Sequence, residues 1–370
     1  MKKGVVWLVT AVVAAGLVVA GCGDDEDEGG GGGGGASQSD GGEAGKVAVL
    51  LPDSKSSVRW ETVDRPFLTK AFDAAGIESE VQNAEGDKAT QQQQAEQAIT
   101  NGAKVLLLVN LDSGSGAAIE ANAASQDVKV IDYDRLTLKS PNVDYYVSFD
   151  NEQVGKLQGQ GLVDCMGDKK GAEIAVLNGS PTDNNATLFK NGYDSVINPK
   201  FESGEWKEIE DQSVPDWDNQ KALTIFEQIL QKNNNKIDGV LAANDGLANA
   251  AISALKQRKL PQVPVTGQDA TLQGIQNILN GDQCMTVYKP GKAEVDAASK
   301  LAIALAKGEE PQGADDTIDN QSKEVPSVLL DPIIVTKDNI KEYLGEPDFP
   351  KAEDICAGKV AAKCKEAGIQ

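Results

Sequence analysis

Val105-Leu106-Leu107-Leu108-Val109-Asn110 leads into Leu111-Asp112-Ser113-Gly114-Ser115-Gly116, and the next β-branched run is Val128-Lys129-Val130-Ile131-Asp132-Tyr133-Asp134. The first run is apolar at every position up to Asn110 and short enough to be a strand. Uninterrupted apolar character means burial on both faces, the situation of a strand in a parallel sheet sandwiched between helices. A turn of Asp, Ser and Gly then separates it from the following strand by about the length of one helix.

The same phrase repeats on both sides of this stretch. Strands are expected at Val47–Asp53, Glu78–Asn83, Tyr145–Asp150, Glu173–Asn178, Ile237–Asp245, Val263–Asp269 and Cys284–Lys289, besides Val105–Asn110 and Val128–Asp134. Helical spacing falls between them, at Trp60–Ala75, Ala89–Thr100, Asn151–Cys165, Gln220–Lys232 and Leu272–Leu279. Strand alternating with helix gives an α/β protein with parallel sheets. About 325 residues follow the leader region, too many for one compact core and comfortable for two lobes.

Polar residues recur where these strands end: Asp53, Asn110, Asp134, Asp150, Asn178, Asn244-Asp245 and Asp269. Open α/β sheets bind ligands just outside those ends. Asp and Asn also suit helix N-caps at the same places, so each residue alone admits either role.

The start of the chain has a different character. Lys2 and Lys3, the apolar run Gly4 to Ala20 and the small residues before Cys22 have the layout of a bacterial lipoprotein signal (residues 1–22), with Cys22 as the lipidation site. Residues 23–45 carry an acidic run and seven consecutive glycines, a disordered tether whose reach as a Gly-rich coil is about 25–30 Å. Export would anchor the chain by lipid to the outer face of the cytoplasmic membrane, in a periplasm or at a cell surface.

Charge and composition then narrow the function. The formal charge of −22 becomes −24 without Lys2 and Lys3, and no basic cluster offsets it, so nucleic acid is not an expected partner. The chain has no histidine, which removes the commonest general base and zinc ligand. No metal or cofactor is called for. Besides Cys22 there are Cys165, Cys284, Cys356 and Cys364, which allow three pairings; proximity favours Cys356 with Cys364 and leaves Cys165 with Cys284, while four unbridged thiols remain the other possibility.

The chemistry-bearing residues are Arg59-Trp60, Asp134-Arg135, Asp183-Asn184-Asn185, Trp217, Asn244-Asp245, Asp269 and Lys289. A pyranose ring asks for this set: broad aromatic faces for its C–H surfaces, and planar carboxylate, amide and guanidinium groups for hydroxyls that both donate and accept. Trp217 equally suits a helix start packed on its own lobe, and Lys289 a solvated strand end.

Seven segments resemble the D-xylose-binding proteins of sugar ABC importers, within the pentose and hexose group of type I periplasmic binding proteins. They are Ser57–Trp60, Asp132–Arg135, Tyr146–Glu152, Gly179–Ala186, Ala243–Asp245, Gly267–Ala270 and Met285–Pro290, in a likeness running from about Val47 to about Thr336. The resemblance implies two Rossmann-like lobes joined by a three-segment hinge, with crossings near Tyr145–Asn151, Tyr288–Pro290 and Leu329–Ile334. Residues 46–147 with 289–327 would form the N-terminal lobe, 148–288 with 328–345 the C-terminal lobe, and 346–370 a tail outside the likeness. By the same resemblance, Arg59, Asp134, Arg135, Asp183, Asn185, Asn244, Asp269 and Lys289 would hydrogen-bond an aldopyranose, and Trp60 and Trp217 would stack on it. The partners implied are a monosaccharide and an ABC permease, for a monomer that catalyses nothing.

Three other functions share some of these features. A repressor of this fold needs a DNA-binding head before Val47, where the sequence has signal and polyglycine. A carbohydrate-active enzyme needs a working carboxylate pair, but Asp134, Asp183 and Asp269 have Arg and Lys among them. A sensory receptor for glucose, galactose or arabinose, reporting to a chemotaxis or two-component partner, has no feature that separates it from the transport reading.

Overall fold

A computed structural model describes residues 44–369. The signal segment 1–22 with Cys22, nearly all of the 23–45 tether, and Gln370 lie outside the described residues. The chain begins with β1 (Lys46–Leu51), α1 (Arg65–Ala75), β2 (Ser79–Asn83), α2 (Lys88–Thr100), β3 (Ala103–Leu108), α3 (Ser113–Ala124), β4 (Lys129–Tyr133) and β5 (Tyr145–Phe149). It continues with α4 (Asn151–Met166), β6 (Ala172–Asn178), α5 (Asn184–Glu202), β7 (Trp206–Ser213), α6 (Asn219–Lys232), β8 (Gly239–Ala242), α7 (Asp245–Gln257), α8 (Leu272–Asn280) and β9 (Met285–Tyr288). Then follow α9 (Gly291–Ala306), β10 (Asp316–Asp319), β11 (Glu324–Leu330), β12 (Ile333–Thr336), α10 (Ala352–Ile355) and α11 (Ala361–Ala367).

The first lobe is built on a seven-stranded sheet in the order β10-β11-β5-β4-β3-β1-β2, parallel except for β10 against β11. Its centre explains the apolar run. Val105 and Leu107 pair with Val47 and Val49 and pack beneath α1 and α9, on Leu68, Phe72, Val295 and Leu301. Leu106 and Leu108 pair with Ala48 and Leu50 and pack on the other face, against Ala95 and Ala98 of α2 and Ile119 of α3. Each such side chain, fully buried, contributes about 1.5–3 kcal/mol.

The second lobe centres on the parallel order β7-β6-β8, with β9 and β12 as an antiparallel pair. Between them runs Val263–Asp269, which the sequence marks as a strand but which forms only one ladder bridge, Val240 to Val265. Pro264 has no N–H to give, and Asp269 and Ala270 leave extended geometry at φ 94° and 47°. The segment still fills a strand's place: Thr266 donates to Val240 at 3.1 Å, while Cys284 and Val287 donate to Val265 and Gly267 at 2.9 and 3.2 Å. The expected strand over Ile237–Asp245 shortens to β8 because Asp245 already opens α7. The expected helix over Trp60–Ala75 is two pieces: Trp60–Asp64 form a wide π turn, with Arg65 N–H bonded to Trp60 O, and α1 starts with Pro66 in its first turn.

Three short links join the lobes: Phe149 to Asn151, Tyr288 to Gly291, and Leu330 to Ile333. Cys165 on α4 is bonded to Cys284 beside β9, and Cys356 to Cys364 within the tail. That tail packs Phe349, Ile355, Val360, Cys364 and Ile369 into one cluster with Ile275, Ile278, Tyr288 and Val335 of the second lobe. No helix among the described residues is long and apolar enough to cross a membrane.

Candidate functional site

The strand ends of the two lobes face each other across a small, tightly closed cavity. Arg59, Trp60, Asp134, Arg135 and Lys289 line it together with Asp183, Asn185, Trp217, Asn244 and Asp269, the ten residues that the resemblance assigns to the sugar, whereas Asn184 and Asp245 of the chemistry-bearing set do not. Ser56, Ser57, Phe189 and Gln268 complete the wall. Phe189 lies one helical turn beyond Asn185 on α5, a spacing that would have marked it. Ser56 lies four residues before Trp60 and accepts its indole N–H at 3.2 Å.

Three of these residues stand in backbone conformations that side chains avoid: Asp134 at φ 63°, Trp217 at φ 55° and Asp269 at φ 94°. Each costs on the order of 1–3 kcal/mol and persists only where neighbours hold it. Asp134 is held from both lobes. Its N–H goes to Val147 O at 2.8 Å, and its carbonyl accepts from Ser148 Oγ, Tyr146 Oη and Asn185 Nδ2 at 2.9, 3.1 and 2.9 Å. Asn185 also reaches the Asp134 carboxylate at 3.2 Å and is itself steadied by Asn151 Nδ2 at 3.0 Å. The lobes are therefore bonded together across the cavity.

Trp217 sits in the second lobe's core and lines the cavity at once. Its ring rests on Gly179: a Cβ there would lie 2.0 Å from Cη2, so only glycine lets the indole so close. The indole N–H donates to Asp183 Oδ2 at 3.0 Å, and Phe189 meets the ring edge-on at 6.4 Å. Asp183 also caps α5 through Asn185 N–H at 2.9 Å, and Asn244 caps α7 through Leu247 N–H at 2.9 Å. Capping and cavity lining thus coincide in these two residues. Asp134 and Asp269 cap nothing, since Thr271 caps α8.

Arg59 is clamped by three carboxylates. Asp64 takes two bonds at 3.0 Å, Glu294 one at 2.5 Å and Asp134 one at 3.2 Å. Burial alone would depress its pKa, but Asp64, Glu294 and Asp134 together hold it well above the usual value. Burial pushes Glu294 up to about 8 against the pull of Arg59. Asp245, buried beneath the Asp269 turn, accepts from Thr271 N and Oγ1, Gln283 Nε2 and Thr286 Oγ1 at 2.7–3.0 Å. Burial, and then the charge of Asp269, raise it to about 7.

The cavity wall balances its charges. Arg59, Arg135 and Lys289 face Asp134, Asp183 and Asp269, in pairs at 3.2, 3.2 and 3.3 Å. Such a lining suits a ligand with no net charge. It also leaves capacity unspent: Arg135 Nε lies near Asp183 without a well-directed bond, and Gln268 Oε1 has no partner. A hydroxyl, able to donate and accept, satisfies both kinds of group. Among the described residues, no three His, Cys, Asp or Glu stand together as a metal site.

Residues 47–310 match the periplasmic binding protein domain family. The D-xylose-binding periplasmic protein of Escherichia coli strain K12 is 39% identical over 311 residues, covering 84% of this chain and 92% of that one. A multiple sugar-binding periplasmic receptor of Rhizobium radiobacter is 34% identical over 332 residues, covering 85% and 93%. Among solved structures, an ABC transporter solute-binding protein from Clostridium phytofermentans with bound β-D-glucose superposes with a TM-score of 0.77 at 30% identity, covering 84% of this chain and 99% of that one.

Proposed function

The chain belongs to the periplasmic binding protein family, and on that premise we propose that it captures D-xylose between its lobes for an ABC importer while anchored by lipid at Cys22. It is an extracytoplasmic sugar-binding protein of the transport type and not an enzyme. The observation that carries the ligand reading is the charge-balanced cavity lined by Trp60, Trp217 and hydrogen-bonding groups from both lobes. An aldopyranose presents apolar C–H faces to the indoles and uncharged hydroxyls to the paired Asp, Asn, Arg and Lys side chains.

Xylose is preferred within the aldoses on the 39% identical relative. A hexose adds one hydroxymethyl group, and an increment of that size changes affinity by only about 1–3 kcal/mol, so glucose is the nearest competitor. Binding works by closure: a ring that touches Asp134 and Asp269 at the same time favours the closed lobes by its affinity difference between the two forms. The closed form then docks on the permease as a monomer. Titration calorimetry of the chain from residue 44 against xylose, glucose, galactose, arabinose and ribose tests this. Single-site binding tightest for xylose is expected; heat from none of the five defeats the sugar reading.

A further inference from the structure

The tail beyond the second lobe reaches back to the sugar cavity through the hinge. Asp348 accepts the Tyr288 hydroxyl on Oδ1 at 2.8 Å and the Gly291 N–H on Oδ2 at 2.6 Å, with Lys292 N–H at 3.4 Å. A carboxylate in that place satisfies the open N–H groups of the first turn of α9 and complements its dipole. The rings of Tyr343 and Phe349 pack on Tyr288 at 5.8 and 5.2 Å, and the Cys356–Cys364 bond closes the tail behind them.

Two facts make this more than local packing. The tail is seated on the second lobe, against Ile275, Ile278 and Val335, whereas α9 is seated on the first lobe, against Leu68, Val105 and Leu107. The Asp348 bonds to Gly291 therefore span the lobes and depend on the angle between them. The seven residues they hold, Tyr288 to Glu294, also carry two arms of the site: Lys289 pairs with Asp269 at 3.3 Å, and Glu294 with Arg59 at 2.5 Å.

We propose that Asp348 is a positioning residue for the sugar site, holding the second hinge segment so that Lys289 and Glu294 stand in register when the lobes close. It touches no ligand and acts through the chain it caps. The inference rests on the sugar-binding reading above and adds a residue from outside the cavity.

The test compares the full chain with D348N, D348E and Y288F by titration calorimetry and stopped-flow binding of D-xylose, with ligand-free melting by scanning calorimetry. D348N is expected to weaken xylose binding about five- to tenfold, mostly through faster release, as a cap of this kind confined to the closed form implies. D348E, which keeps the charge, is expected to recover most of the loss. Y288F removes one bond while keeping the ring in the aromatic cluster and is expected to cost about two- to threefold; it carries the test alone if D348N does not fold. A lowered melting temperature with wild-type affinity and release rate in these variants overturns the proposal and leaves Asp348 a purely structural cap. Failure of the unmodified chain to bind any aldose defeats the function reading instead.

Discussion

Gly179→Ala adds a single methyl group and should remove most of the sugar affinity. The new Cβ would stand 2.0, 2.2 and 2.6 Å from Cη2, Cζ2 and Cζ3 of Trp217, whereas carbon atoms in contact sit about 3.5–4.0 Å apart. The indole must give way by about 1.5 Å or carry its backbone along, and that backbone is already in the left-handed region at Asp216 and Trp217. Tilting the ring also pulls its N–H from Asp183, at 3.0 Å. Forced overpacking costs about 1–3 kcal/mol, and a hydrogen bond to a charged group about 1.5–3 kcal/mol. If about 2 kcal/mol of this falls on the bound state, affinity drops roughly thirtyfold. Gly179 itself has no positive φ, so alanine leaves the strand end unstrained. Calorimetric titration with D-xylose, alongside thermal melting to show that the variant is folded, reads the effect. A folded variant that binds xylose as tightly as the parent refutes the stacking role of Trp217.

Charge balance in the cavity predicts discrimination against charged analogues. Xylonate, with one carboxylate, should bind at least a hundredfold more weakly than xylose in competition titration, because any added charge lacks a free partner among the paired side chains. Asp245 predicts a pH slope. Its raised pKa, about 7 in the fold, means that its contribution to stability is complete below its unfolded pKa near 3.8 and is lost as the pH rises through about 7, worth up to about 4 kcal/mol. The melting temperature of D245N should therefore fall less than that of the parent between pH 5 and 8; parallel slopes would contradict the assignment. The two disulfides should differ in weight. Chain-entropy arithmetic gives about 5 kcal/mol for Cys165–Cys284 and about 2.5 kcal/mol for Cys356–Cys364, from separations of 119 and 8 residues. Paired Cys→Ser variants compared by scanning calorimetry should rank in that order.

The sequence made the parallel core plain because apolar runs such as Val105–Val109 leave no other home for their side chains. Of the strands it did not reveal, β12 is short and apolar, and the others are edge strands or broken by proline. β7 reads Trp-Lys-Glu-Ile-Glu-Asp-Gln-Ser over Trp206–Ser213, an edge strand open to water and so free to be polar; β10 is another edge, and β11 is interrupted by Pro326. Pairing with a neighbour, not composition, makes these segments strands. In the site, the residues with a distinctive chemistry could be named from the sequence, and the structure lines one cavity with them. Phe189 is signalled only by its one-turn spacing from Asn185 on α5, and Gln268 is an ordinary residue that the turn before Asp269 brings to the wall. Asp348 was hidden for a third reason: its partner is a helix start 57 residues earlier in the chain, and nothing local records that contact.

The central claim is that one uncharged sugar ring occupies the cavity shared by the two lobes, and a crystal structure of the complex with D-xylose tests it most directly. The ring should lie between Trp60 and Trp217, with hydroxyls within about 3 Å of Arg59, Asp134, Asn185, Asp269 and Lys289. Xylose seated instead in the neighbouring cavity lined by Lys55, Val58 and Leu272, with the inner chamber unfilled, would contradict the account.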